Sequence, residues 1–337
     1  MARVGVIGAG SWGIALAKVL HTNGNQVSVW SIVESEIAML KEKHEHVDKL
    51  PGVKLPEEMV FTTDLSDAII GMDYLILAVP SVFTRSTAKS MAPYVKAGQV
   101  IVCVAKGIEE STLMTLSEIV EEEIPVAEVA VMCGPSHAEE VGRGMPTTVV
   151  AGAKKRAIAE GVQDIFINEV FRVYTSSDVL GMELGGSLKN VIALAAGMLD
   201  GLGYGDNTKA ALITRGISEM SRLAIKMGAK AETLNGLTGI GDLIVTCESK
   251  HSRNRKAGML MGQGYTMQQA MDEVKMVVEG VYSAKAAIAL AGKYEVDMPI
   301  IEAVNKVLFE NKSVKEAAAE LMMRDRKSEN SDLGWEE

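Results

Sequence analysis

Apolar residues recur along the first half of the chain in short runs separated by helical patterns. Val4, Val6 and Ile7 form the first run, and Ile14 to Leu20 then place apolar residues at helical intervals. Further strand candidates are Gln26 to Trp30, Met59 to Phe61, Tyr74 to Val79, Gln99 to Ala105, Val129 to Met132, Thr147 to Ala151 and Phe171 to Tyr174. Helical stretches such as Phe83 to Met91 and Ser111 to Glu122 lie between them. The alternation predicts a doubly wound, mostly parallel sheet, with ligands beyond the carboxyl ends of its strands. Those ends read Ala78-Val79-Pro80-Ser81, Ala105 to Glu109 and Cys133 to Glu139.

From Val179 helical periodicity takes over, so a boundary is expected near Asp178. The expected organisation is an α/β domain at 1–178, an all-α domain at 179–325 and a charged tail at 326–337. Leu180 to Leu199 is apolar almost all round, as a core helix would be, with Gly185 and Gly186 allowing close approach. Thr208 to Met227 reads as a helix stopped by Gly228, with Arg215 and Glu219 one turn apart. Thr266 with Gln269 and Ser313 with Glu316 read as capping boxes, and Pro299 suits a first helical turn.

Gly8, Gly10 and Gly13 fall in the spacing G-x-G-x-x-G between the first strand and the first helix. In that setting the first glycine permits a tight turn, the second lets a pyrophosphate approach the backbone and the third lets helix and strand pack closely. The helix start offers unpaired N–H groups to an anion. The N-terminal domain is therefore expected to be Rossmann-like and to bind a dinucleotide. An acidic residue after the second strand would hold the adenosine ribose and a basic one would favour a 2′-phosphate, but the positions read Ser31-Ile32-Val33 with Glu34 beyond.

Composition narrows the class. A chain of 337 residues exceeds what one core usually organises, and 47% hydrophobic with 23% charged residues fits a globular protein. A net charge of -10 and 4% aromatics argue against nucleic acid as partner. Cys103, Cys133 and Cys247 lack C-x-x-C spacing and suit a reducing compartment. With a first strand at Arg3 and no apolar run of eighteen or so residues, neither signal peptide nor membrane span is expected. The expectation is a cytoplasmic protein. His44 and His46 in the charge-rich Lys41 to Lys49 read as a solvated face, with no metal site expected.

Lys189 is the only charged side chain between Leu184 and Leu199. Burial lowers a lysine pKa and lets it exchange a proton near neutral pH, whereas a lysine at a domain edge would snorkel to water. Thr238 to Asp242 reads as a glycine-rich turn into a helix on which Asp242 and Thr246 share a face, so Asp242 either caps that helix or holds a lysine. Ser252 is placed to cap a helix beginning Arg253-Asn254-Arg255-Lys256, which is a phosphate site or a solvated basic turn. His137 and His251 are candidate acids, although isolated histidines more often only hydrogen-bond. Cys247 is either a reactive or a buried, inert thiol.

With these residues in view, the chain closely resembles the bacterial NAD(P)-dependent glycerol-3-phosphate dehydrogenases. The resemblance rests on GAGSWG at 8–13, AKGIE at 105–109, GPSHAEEV at 134–141, GGSLKN at 185–190, TGIGDLIVTC at 238–247, SRNRK at 252–256 and VVEG at 277–280. It implies reversible NAD(P)H-dependent reduction of dihydroxyacetone phosphate to sn-glycerol 3-phosphate, a phospholipid precursor. By that resemblance Lys189 is the proton donor, Lys106 stabilises the alkoxide, and Asp242, Thr246 and Asn190 orient Lys189 and the substrate oxygens. Ser252, Arg253 and Asn254 would bind the substrate phosphate, and Gly134 and Ser136 would meet substrate from the sheet side. Ser11, Trp12, Lys106, Ala138, Arg253, Val277 and Glu279 would join Gly8, Gly10 and Gly13 as dinucleotide contacts. A homodimer through the helical half is expected by analogy.

One position departs from the family pattern. Relatives commonly place an arginine or histidine just after the second strand, where this chain has Ile32 and Val33, which implies NAD at least as good as NADP. Competing readings are a related hydroxyacid or sugar-acid dehydrogenase, against which SRNRK argues, and a non-catalytic nicotinamide sensor, which would need no proton donor.

Overall fold

The computed structural model describes residues 1–326 with Ser328 and Glu329. Eight strands are present: β1 (Arg3–Ile7), β2 (Gln26–Trp30), β3 (Val60–Thr62), β4 (Tyr74–Leu77), β5 (Val100–Cys103), β6 (Glu128–Cys133), β7 (Thr147–Ala153) and β8 (Phe171–Ser176). They form one sheet in the order β3-β2-β1-β4-β5-β6-β7-β8. Every pairing is parallel except β6 with β7. The order reverses between β1 and β4, and that switch point opens the crevice into which the glycine loop projects.

The helices of this half are α1 (Ser11–Thr22), α2 (Glu34–Lys43), α3 (Thr84–Met91), α4 (Leu116–Glu123), α5 (Ala138–Gly142) and α6 (Arg156–Phe166). Helix α4 begins five residues later than the apolar pattern from Ser111 suggests. Thr115 and Glu118 close a capping box there, and Leu113 just before it has a left-handed φ of 63°. A side-chain cap fixes the start where periodicity alone cannot. His46 is also a correction: it is buried at 1% exposure against Glu36, not on a solvated face.

The second half consists of α7 (Val179–Gly201), α8 (Asp206–Lys226), α9 (Ala231–Leu234), α10 (Asp242–Glu248), α11 (Arg253–Gly262), α12 (Met267–Val274), α13 (Glu279–Tyr294), α14 (Pro299–Phe309) and α15 (Val314–Met322). Asp178 caps α7 through Gly181 N–H, and the capping boxes at Thr266 and Ser313 form. Glu219 does not pair with Arg215; its carboxylate accepts the backbone N–H groups of Ile300 and Ile301 at the start of α14. Arg324 pairs with Asp297, whereas Lys327 and residues 330–337 of the expected tail lie outside the described residues.

Helix α7 is the core of this half, buried on all sides from Leu184 to Met198. Contrary to the sequence expectation, it is long and apolar enough to cross a membrane, with a mean hydropathy of 1.2, but 89% of that window is buried inside the protein. Its crossing with α11 is made by glycines on both helices. A Cβ on Gly197 would lie 2.0 Å from Arg255 O, and one on Gly258 would lie 2.0 Å from Leu194 O. Gly201 and Gly262 repeat the contact one turn on, against Met259 O and Met198 O. The missing side chains let the backbones approach and hold α7 against the helix that begins with Ser252-Arg253-Asn254.

Gly258→Ala is expected to destabilise the protein by about 1–3 kcal/mol through overpacking. Gly292→Ala in α13, where a Cβ meets nothing within 4 Å, should stabilise it by about 0.5–1 kcal/mol. Urea denaturation of the two variants checks the contrast.

Candidate active site

The crevice above β1 and β4 begins with the glycine loop. Gly8 has φ +120°, and a Cβ there would lie 2.9 Å from the Ala78 backbone. One on Gly13 would lie 2.0 Å from Gly8 O, whereas one on Gly10 would project into open space. Gly10 is the N-cap of α1 and has no capping side chain, so the helix start is left to an external anion. Ser11 and Trp12 open the helix, and the Trp12 indole N–H donates to Val104 O at 3.2 Å, two residues before Lys106.

Lys106 follows β5, Lys189 lies midway along α7 and Asp242 begins α10 after a π-helical turn at Leu237–Gly241. A Cβ on Gly185 would lie 2.5 Å from Thr238 O and one on Gly239 would lie 1.9 Å from Leu234 O, so Gly185 seats this turn against α7 and Gly239 seats it against the end of α9. The three side chains converge. Lys189 Nζ donates to Asp242 Oδ1 at 2.8 Å and to Thr246 Oγ1 at 2.5 Å. Lys106 Nζ donates to Asp242 Oδ2 at 2.6 Å and to Gly134 O at 2.9 Å. Thr246 donates its own hydroxyl to Asp242 O at 2.6 Å, which leaves lone pairs facing Lys189. An ammonium carries three N–H donors, so these bonds leave one on each lysine.

Lys189 is 5% exposed, and Asp242 is 1% exposed. Asp242 therefore does not cap α10; its carboxylate is committed to the two lysines. Burial lowers the Lys189 ammonium to about 8, with the Asp242 carboxylate opposing and the Lys106 charge adding to the shift. Burial also disfavours a charged Lys106, but the Asp242 carboxylate outweighs it and raises that ammonium above the usual lysine value. For Asp242, burial is outweighed by the two lysines, which hold it below the usual carboxylate range.

Around this trio the sheet side supplies Gly134, whose φ of +147° and close approach to Val149 leave no room for a side chain, and Ser136, which donates to Gly134 O at 2.9 Å. On the helical side Gly280 N–H donates to Asn254 Oδ1 at 2.9 Å, and Asn254 donates to Asn190 Oδ1 at 2.9 Å. Ser252 caps α11 by accepting from Arg255 N–H. Arg255 pairs with Asp200, while Arg253 sits half-buried at the first helical position with no ion pair among the described residues. Ala138 opens α5, and Val277 precedes α13, outside the lysine cluster.

One candidate acid and one candidate reactive thiol lose those roles. Burial, then the charges of Lys189 and Lys106, lower His137 to about 4, so its ring is neutral near pH 7. Burial pushes the Cys247 thiol up to about 12, an inert state. Two neighbours entered the sequence reading only as members of strand-end loops. Cys133 Sγ lies 3.8 Å from Asp242 Oδ2, and Ser81, after β4, donates to Glu279. No periodicity links Ser81 to a carboxylate 198 residues away.

A concavity of about 1850 Å³ lies elsewhere, among α7, α8, α14 and α15, and shares no lining residue with the lysine trio. Chemistry outweighs size here: paired buried lysines on one carboxylate beside a glycine loop define a dinucleotide-dependent oxidoreductase.

Comparison with known proteins narrows the class. The family models described as NAD-dependent glycerol-3-phosphate dehydrogenase N-terminus and C-terminus match residues 3–159 and 178–319. The chain is 77% identical over 335 residues to a glycerol-3-phosphate dehydrogenase [NAD(P)+] of Agathobacter rectalis, covering 99% of this chain and 100% of that protein. It is 51% identical to the Bacillus subtilis enzyme of the same name, covering 99% and 97%. Among solved structures, a glycerol-3-phosphate dehydrogenase from Coxiella burnetii superposes with a TM-score of 0.93 at 35% identity, covering 96% of this chain and 99% of that one. The chain belongs to the NAD-dependent glycerol-3-phosphate dehydrogenase family.

Removing Asp242 strands two buried ammonium groups, whereas removing Lys189 leaves Asp242 paired with Lys106. Asp242→Ala is therefore expected to cost about 3–5 kcal/mol of stability and Lys189→Met distinctly less, as measured by urea denaturation.

Proposed function

We propose that the protein reduces dihydroxyacetone phosphate reversibly to sn-glycerol 3-phosphate, a reading supported by its likeness to glycerol-3-phosphate dehydrogenases. The observation that carries the reading is a buried Lys189 sharing Asp242 with Lys106 and retaining one free N–H. A bound NAD or NADP supplies and takes back the hydride. In reduction, Lys189 passes its proton to the oxygen that develops charge at C2; in oxidation, the neutral amine takes it back. Lys106, whose raised pKa keeps it charged, stabilises that oxygen as a fixed positive centre. Asp242 and Thr246 orient the Lys189 amine, and Asn190 with Asn254 fixes the substrate end. Arg253, free of any ion pair among the described residues, and the α11 N-terminus capped by Ser252 receive the phosphate. Gly134 and Ser136 close the site from the sheet.

On this reading residues 1–178 hold the cofactor, with Gly8, Gly10, Ser11, Trp12, Gly13 and Ala138, and residues 179–325 hold the substrate. Val277 and Glu279 reach from the second part to the cofactor. We place the enzyme in the cytoplasm, a reading supported by three free, buried cysteines, and expect it to form a homodimer through its helical half. The groove of about 1850 Å³ in that half is a surface such pairing would cover. Product feeds glycerophospholipid synthesis.

Cofactor preference follows from the end of β2. Ile32 is 78% exposed there and offers no charge to a 2′-phosphate. The Glu36 carboxylate nearby adds a negative charge: burial is outweighed by the His46 ring and by hydrogen bonds from Lys49 and Ser31, which bring it down to about 2. Lys49 offsets that charge, so the end of β2 neither strongly repels a 2′-phosphate nor, with Ile32 and Val33, supplies a cation to hold it.

The decisive assay is NADH oxidation with dihydroxyacetone phosphate. Lys189→Ala should lower kcat by about 10²–10⁴-fold while NADH binding persists, and near-normal kcat would remove Lys189 from its role. Because the acid form is needed for reduction and is lost above about pH 8, kcat/KM for reduction should fall above that pH. For oxidation it should rise through the same range. Lastly, kcat/KM with NADH should equal or exceed that with NADPH; a strong NADPH preference contradicts the reading of Ile32.

A further inference from the structure

The start of α13 is fastened from two directions. On one side the Glu279 carboxylate reaches the 3₁₀ turn at Ser81–Phe83, just past β4. Ser81 N–H donates to Oε1 at 3.0 Å, and the Ser81 hydroxyl donates to Oε2. On the other side the next residue, Gly280, donates its N–H to Asn254, which donates in turn to Asn190 beside Lys189. Ser81 itself is wedged by the loop that carries Lys106: a Cβ on Gly107 would lie 2.3 Å from Ser81 Cβ and 3.6 Å from Glu279 Oε2. One carboxylate therefore ties together the switch-point crevice, the Lys106 loop and the helix that braces the substrate end.

We propose that Ser81 is a positioning residue, acting through Glu279, that sets the nicotinamide end of the crevice in register with the Lys189 site. The proposal rests on the dehydrogenase reading above and adds to it a residue in contact with neither lysine. A carboxylate has about four lone-pair sites, and Ser81 occupies only one on each oxygen, so Glu279 held this way keeps acceptor capacity for the hydroxyls of a bound dinucleotide. Burial and its loss of water are what make the hold necessary: burial raises the Glu279 carboxyl above its usual range against the pull of the two Ser81 hydrogen bonds and the Arg253 charge. Without the Ser81 hydroxyl, Oε2 loses a charge-assisted bond and the side chain gains rotameric freedom.

The test uses the full chain. In Ser81→Ala the Kd for NADH, followed by fluorescence in the absence of substrate, should rise about tenfold, and the KM for NADH should rise with it, while kcat falls less than about threefold. Amide hydrogen exchange over residues 279–283 of the cofactor-free protein should quicken. Glu279→Asp, which keeps the charge but shortens the reach, should weaken NADH binding similarly. In a Glu279→Gln background, Ser81→Ala should have little further effect, because the residue acts through that carboxylate. An unchanged or tighter Kd in Ser81→Ala, or full additivity with Glu279→Gln, overturns the proposal. Failure of the parent enzyme to reduce dihydroxyacetone phosphate would instead sink the functional reading, and the binding and exchange measurements separate the two results.

Discussion

One carboxylate shared by two buried ammonium groups is the constraint on which the rest depends. Asp242 presents one oxygen to Lys189 and the other to Lys106, so the cluster carries a net positive charge in a place with little water. At a separation of about 4 Å an opposite pair is worth about 4 kcal/mol at an effective dielectric near 20, which is comparable to the cost of burying one ion. Asp242 is the member whose loss would leave both lysines unpaired. Each of the three comes from a different element: the loop after β5, the middle of α7 and the start of α10.

The architecture can be read as the means of keeping those elements together. Glycines at the α7–α11 crossing bring backbones within reach, Gly185 and Gly239 seat the π-helical turn before Asp242, and Gly134 lets β6 and β7 approach so that a carbonyl faces Lys106. The antiparallel β7 and the parallel β8 extend the sheet beyond β6. The glycine loop contributes differently. It leaves the α1 N-terminus without a side-chain cap, and an anion is the natural complement to an uncapped helix start.

Much of this was legible because burial writes itself into residue type. All eight strands stand out as apolar runs, and Lys189 stands out as a lone charge on an apolar helix. The shared face of Asp242 and Thr246 follows from one helical turn, and the structure puts both on the same amine. Features set by side-chain caps or distant partners were not legible. The start of α4 depends on Thr115 and Glu118, and the burial of His46 depends on how its segment folds back over Glu36. The choice between a capping and a lysine-binding Asp242 could not be made without knowing that Lys106, 136 residues away, would arrive on its other oxygen.

That arrival also bears on which lysine would move the proton in the proposed reaction. Both touch Asp242, so the shared carboxylate alone does not distinguish them. Their difference lies in depth and company: the Lys189 side chain is 6% exposed and the Lys106 side chain 17%. The second acceptor of Lys106 is a backbone carbonyl and that of Lys189 a hydroxyl. Desolvation is the largest influence on both amines, and the nearby Lys106 charge pushes Lys189 further down. The shift to about 8 therefore falls on Lys189, while Lys106 stays charged. Two like groups on one carboxylate thus become unlike, and that division fits the proposed reaction, in which one is a fixed charge and the other a proton carrier.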